Sequence, residues 1–137
     1  QNIEESNTWK SFFDSEYSQY ITLEESTINL QKLVSYLIRN KIHDIAIFGT
    51  SRMGRFLYQK LSKNNFNIIY YIDNDPEMNN KILDNLPVIN SNQLKKSKLP
   101  DAIIVSVLGE HDKQIISELQ SSLKNNKIII LSWKEFD

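Results

Sequence analysis

The chain has 137 residues, 40% hydrophobic and 24% charged, which suits a single globular domain able to bury a core. A formal net charge of -1 gives no electrostatic case for binding nucleic acid or an anionic membrane surface. There are no cysteines, which excludes disulfides, thiol chemistry and cysteine zinc sites. With only two histidines besides, a metal site is not expected.

Residues 1 to 43 are predicted to be helical. Trp9, Phe12, Phe13, Tyr17 and Tyr20 recur at spacings of three and four, as on one face of a helix. That face is read as core or interface, not as a ligand box. Thr22 precedes Glu25 by three positions, a capping-box pattern. It opens a second amphipathic helix through Ile28, Leu30, Leu33, Val34, Leu37 and Ile38, ending near Asn40 and Lys41.

From Ile42 the texture changes to short apolar runs separated by helical stretches. "DIAIF" reads as a buried strand, Arg52 to Asn64 as a helix, "NIIYYI" as a second strand and "LPVI" as a short third. A weak helix follows near Asn92 to Lys96. Then come the strand "DAIIVSV", the helix "KQIISELQSSL" and a last strand "KIIIL". Continuous rather than alternating apolar strands imply a sheet covered on both faces, and helices between strands imply parallel pairing. The expected architecture is α/β: a doubly wound, mostly parallel Rossmann-like sheet over residues 43–137, with an amino-terminal helical extension over residues 1–42. No apolar run approaches a membrane span, no signal peptide is visible, and a reducing cytoplasm fits. The chain starts at Gln1 rather than Met, which raises the expectation of a piece of a longer protein.

The stretch "IAIFGTSRMGRFLYQKL" carries the functional signal. An apolar strand, a loop and a helix place backbone N–H groups at a helix N-terminus, which attracts phosphate. Gly49 permits a sharp turn, and Gly54 lets the helix pack close to the strand. Ser51 stands where dinucleotide folds usually have a second glycine. Its hydroxyl can donate to a phosphate oxygen, and Arg52 can supply charge. Asp73 ends the second strand 24 positions after Gly49, near the ~20 expected for an acid that accepts from ribose hydroxyls. Such an acid repels a 2′-phosphate, so NAD is favoured over NADP. The same geometry also suits S-adenosylmethionine. Asp73 equally fits a cap of the "DNDPE" turn. Val107 and Leu108, after the fourth strand, are candidates to line the ligand's ring pocket. His111 lies on the same edge. It reads more readily as a solvated loop residue than as a catalytic one, and His43 reads as structural.

These residues carry a family resemblance over about Ile42 to Leu131. The chain resembles the amino-terminal Rossmann-like domain of nucleotide-sugar epimerases and dehydratases in bacterial polysaccharide biosynthesis. It is also similar to the amino-terminal domain of sugar acetyltransferases of the sialic-acid and bacillosamine type. The shared features are the loop with Gly49, Ser51 and Gly54, the strand end Ile72 to Pro76, the segment Leu86 to Ile89 and the apolar strand Ala102 to Val107. Gly-x-Ser-x-x-Gly fits the acetyltransferase type better than the epimerase type, and Asn85 replaces a position that is often glycine. The resemblance implies a small hairpin before Leu86. It also implies binding of NAD(H) or a nucleotide-sugar, with catalysis supplied by another domain of the same protein. Neither a Tyr-x-x-x-Lys motif nor a hexapeptide repeat is present. Two alternatives stay open. One is a free-standing NAD-dependent sugar dehydrogenase or epimerase with His111 as acid or base. The other is a structural module forming a homo-oligomer through the aromatic helix face.

Overall fold

A computed structural model describes residues 3–107 and 109–136; Leu108 therefore lies outside the described residues. The first helix, α1, runs Ile3–Phe12 and passes into a single π-helical turn at Phe13–Tyr17. The unbroken helix expected through Tyr20 does not form. The wider turn lets the adjacent rings of Phe12 and Phe13 both face inward, at 2% and 0% exposure. Helix α2 spans Leu23–Arg39. It begins where expected because the Thr22 hydroxyl accepts from the Glu25 N–H at 3.1 Å.

Strand β1 (Asp44–Phe48), helix α3 (Arg52–Lys63) and strand β2 (Asn67–Ile72) form the first βαβ unit. A short 3₁₀ turn at Pro76–Met78 leads to β3 (Ile82–Leu83) and β4 (Leu86–Ile89). A 3₁₀ segment at Ser91–Lys96, where a weak helix was expected, precedes β5 (Ala102–Val105). Helix α4 (His111–Ser122) and strand β6 (Ile129–Ser132) follow.

The six strands lie in the order β3-β4-β2-β1-β5-β6. All pairings are parallel except β3 with β4. The α/β, doubly wound, mostly parallel sheet expected from the sequence is therefore present, and the small hairpin that the resemblance implies before Leu86 forms its antiparallel edge. Asp84 and Asn85 form that hairpin's turn with φ of 54° and 62°. Asn tolerates this left-handed conformation, which explains how it replaces glycine there. The Tyr71 hydroxyl donates to Asp84 Oδ2 at 2.6 Å and ties the turn to β2. Burial, reinforced by this bond, pushes the Tyr71 hydroxyl pKa up, so it remains a donor.

Both faces of the sheet are covered, as the continuous apolar strands require. On one face Ile45, Ile47 and Ile104 meet Leu33 and Leu37 of α2 and Phe56, Leu57 and Leu61 of α3. On the other, Ala46, Phe48, Ile103 and Val105 meet Leu94, Leu119 and Leu123. The amino-terminal aromatics belong to the first face: Phe13 packs edge-on against Phe56 at 5.3 Å, and Phe56 contacts Trp133 at 6.4 Å. Phe13, on which a second copy would dock in the oligomer alternative, is thus spent inside the chain. Among the described residues, no helix is long and apolar enough to cross a membrane.

Candidate functional site

The chain leaves β1 toward β2 on one side of the sheet and later places β5 on the other. The carboxyl ends of β1 and β5 therefore flank the point where strand order reverses, the place where open α/β sheets bind ligands. Helices α3 and α4 cover opposite faces, so the β1–α3 and β5–α4 loops leave the sheet to opposite sides there, the arrangement that opens a crevice in folds of this kind.

The β1–α3 loop is held by its glycines. Gly49 has φ of +108°, a region that favours glycine, and its N–H donates to the Ile72 carbonyl at 2.8 Å. A side chain on Gly49 would collide with the Ser106 hydroxyl, and one on Gly54 with the Gly49 carbonyl oxygen. The two glycines therefore allow α3 to start directly against the end of β1. Ser106, buried at the end of β5, donates from Oγ to the Phe48 carbonyl at 2.7 Å and completes the junction. Sequence reasoning overlooked it. The signal was a lone hydroxyl in the apolar run that follows Asp101 in "DAIIVSV".

Helix α3 starts without a side-chain cap: Ser51 is the N-cap residue, yet its exposed hydroxyl makes no capping hydrogen bond. No acidic residue lies in the first turn. The helix thus presents first-turn N–H groups and a partial positive charge at this edge, with no acid in its own first turn to neutralise them.

Asp73 stands at the end of β2, and its carboxylate binds this loop. Oδ2 accepts from the Thr50 N–H at 3.1 Å and from the Thr50 hydroxyl at 2.6 Å. Oδ1 accepts from the Asp75 N–H at 2.9 Å, so the turn-capping role expected of Asp73 is realised. A carboxylate has about four acceptor sites, and three are in use here, leaving about one for an incoming hydroxyl. The Thr50 N–H, expected with those up to Gly54 to be a phosphate donor, is thus taken by Asp73 instead, and the part played by the Thr50 hydroxyl was not expected from the sequence.

Arg52 is placed differently from the sequence expectation. Its guanidinium pairs with Glu16 at 2.7 Å and lies 5.5 Å over the Phe12 ring, facing the amino-terminal region. Val107 does reach the site: its Cγ2 is 3.9 Å from where a Gly49 Cβ would stand. The structure thus brings Gly49, Ser51, Gly54, Asp73 and Val107 to one edge, where the Arg52 guanidinium is already engaged by Glu16. His111 is exposed at the first residue of α4. Asp112, the next residue, is buried, with Lys134 Nζ 3.9 Å from its Oδ2. His43 lies before β1, at the opposite edge of the sheet.

A family model described as "C2185-like, N-terminal" matches residues 41–131. The chain belongs to the C2185-like, N-terminal family. The matched span runs from just before β1 into β6 and so covers the sheet. No curated protein matches the sequence.

Among solved structures, the chain is similar to RSP, a Rex-family repressor, at 16% identity and a TM-score of 0.50 over 74% of this chain and 57% of that one. RSP in complex with beta-NADH matches at 13% identity and the same TM-score, over 74% and 60%. A chorismate mutase/shikimate 5-dehydrogenase fusion protein from Clostridium acetobutylicum matches at 19% identity and 0.50, over 80% and 48%. At such identities the likeness is one of fold: the Rossmann-type sheet is shared. This chain spans about half to three fifths of the length of these structures.

Proposed function

We propose that this chain is a nucleotide-binding domain that takes NAD(H) or a nucleotide-sugar in the crevice between the β1–α3 and β5–α4 loops. The observation that carries this is the uncapped N-terminus of α3, set at the reversal of strand order by two glycines that admit no side chain. In this arrangement the first-turn N–H groups and the Ser51 hydroxyl hold phosphate. Asp73 accepts from a ribose hydroxyl with its remaining lone pair, and Val107 lines the ring pocket. Arg52 joins the phosphate only by leaving Glu16. Both partners are at least half exposed, and such a pair is worth about 1 kcal/mol or less. A neighbour of the same fold was solved with beta-NADH, which supports NAD(H) as the first ligand to try.

The resemblance in the loop, in the strand end Ile72 to Pro76 and in the hairpin supports a place in nucleotide-sugar or polysaccharide biosynthesis. Catalysis would then come from another domain of the same cytoplasmic protein. Thermal melting with NADH, NADPH and UDP-N-acetylglucosamine tests the proposal, because a ligand of the folded state raises the melting temperature with the logarithm of its excess over Kd. A rise with either NADH or the nucleotide-sugar that is lost in Asp73→Ala is the expected result. No rise with any of the three sinks it. A purely structural role is favoured by one observation: the charged groups of Asp73 and Arg52 are already engaged within the chain.

A further inference from the structure

The connection between α1 and α2 is anchored in the core at both ends, by Phe13 at 0% and Ile21 at 4% exposure. Its turn is fixed by the N–H groups of Tyr20 and Ile21, which both donate to the Tyr17 carbonyl at 2.8 and 2.9 Å. It touches the first residue of α3 and the β5–α4 loop. On the α3 side Glu16 holds Arg52 at 2.7 Å. On the α4 side Tyr20 Cε1 is 3.8 Å from where a Gly109 Cβ would stand. Gly109 has φ of +90°, so the loop backbone lies open to the ring there. Tyr20 is also one of the few large hydrophobic side chains left half exposed. The core explains Phe12 and Phe13; it does not explain Glu16 or Tyr20.

We propose that residues 13–21 form a strap across the nucleotide crevice. Glu16 holds Arg52 until a ligand phosphate replaces it, and Tyr20 covers the planar ring of the bound nucleotide. The proposal rests on the nucleotide-binding reading above. A phosphate competes well for a guanidinium, because it offers a bidentate, charge-assisted partner against a solvent-exposed carboxylate. A tyrosine ring offers a nucleobase or nicotinamide a rigid face that is indifferent to which ring it meets. The strap would thus select for a ligand that has both a phosphate and a flat ring, rather than for one base.

Calorimetric titration of the wild-type chain and of Tyr20→Phe, Tyr20→Ala and Glu16→Gln tests this, with NADH, UDP-N-acetylglucosamine and inorganic pyrophosphate as probes. For the ring-bearing probe that binds, Tyr20→Ala weakens affinity about tenfold and Tyr20→Phe preserves it. Pyrophosphate, which has no ring, is insensitive to both changes. Glu16→Gln tightens the ring-bearing probe about two- to threefold, because the internal competitor is gone. Thermal melting of each variant confirms that it is folded. If the wild type binds neither NADH nor UDP-N-acetylglucosamine, the nucleotide reading fails and the strap falls with it. If the wild type binds one of them and all three variants bind it equally well, the strap alone is overturned.

Discussion

Helices α2 and α3 cover the same face of the sheet, yet they begin in opposite ways. Helix α2 is closed at its start: Thr22 caps it, and Glu24 and Glu25 supply negative charge to its first turn. Helix α3 is open: Ser51 does not cap, the first turn has no acid, and its first residue is Arg52. A helix that serves packing alone gains from the first arrangement, by about 1 kcal/mol for the cap. The second forgoes that stability and leaves donors free. The contrast singles out α3, the helix that starts where the strand order reverses.

The sharpest way to break the comparison is to deny α3 its close approach to β1. Gly54→Ala places a methyl group against the Gly49 carbonyl, which is backbone and cannot swing aside. A loss of ~3 kcal/mol in urea unfolding is expected. Near-wild-type stability would show that the junction between loop and helix yields easily. Asp73→Ala removes the acceptor shared by Thr50 and Asp75 and should cost ~2 kcal/mol, because the partly buried Thr50 donors lose their partner.

Next comes the direct contrast between the two helix starts. Thr22→Ala should cost ~1 kcal/mol, whereas Ser51→Ala should change stability by less than ~0.5 kcal/mol. Equal losses in paired denaturation curves would mean that Ser51 caps α3 in solution and that the site is closed.

The smallest effect belongs to the opposite edge of the sheet. Hydrogen bonds from Asn67 and then Lys98 hold the Asp44 carboxyl below its usual pKa. Because the folded-state pKa is the lower one, Asp44 contributes stability above its unfolded value near 4, and the contribution is lost as pH falls through the folded value. Asp44→Asn should therefore flatten the acid side of the stability profile slightly, the group being largely solvent-screened. It should leave nucleotide binding untouched. Any change in affinity would show that the two edges of the sheet communicate.

Most of the sheet was legible because its strands are unbroken apolar runs. "DIAIF", "NIIYYI" and "AIIV" bury side chains on both faces, and no alternating pattern competes with that reading. Strand β3 has no pattern of its own, because two residues carry no period, and only the family resemblance pointed to a hairpin before Leu86. Ile82 and Leu83 become a strand only through the turn at Asp84 and Asn85. The break after Phe12 was equally hidden, since spacings of three and four continue through a π-helical turn that only packing against Phe56 reveals. At the site, glycines and strand-end acids mark themselves by type, so Gly49, Gly54 and Asp73 stood out. Thr50 and Ser106 act through distances to residues far away in sequence. Arg52 illustrates the reverse limit: its position in the loop was clear, but its direction is set by Glu16, 36 residues earlier.

The ring contacts from Phe13 to Phe56 to Trp133 join the beginning of the described chain to the residue just after its last strand. During synthesis, the aromatic residues near position 13 emerge long before the β6 edge that completes their surroundings. Contacts of such long sequence separation form late and slow the search for the native state. Until then the exposed rings are candidates for chaperone capture or for mispairing with a neighbouring chain.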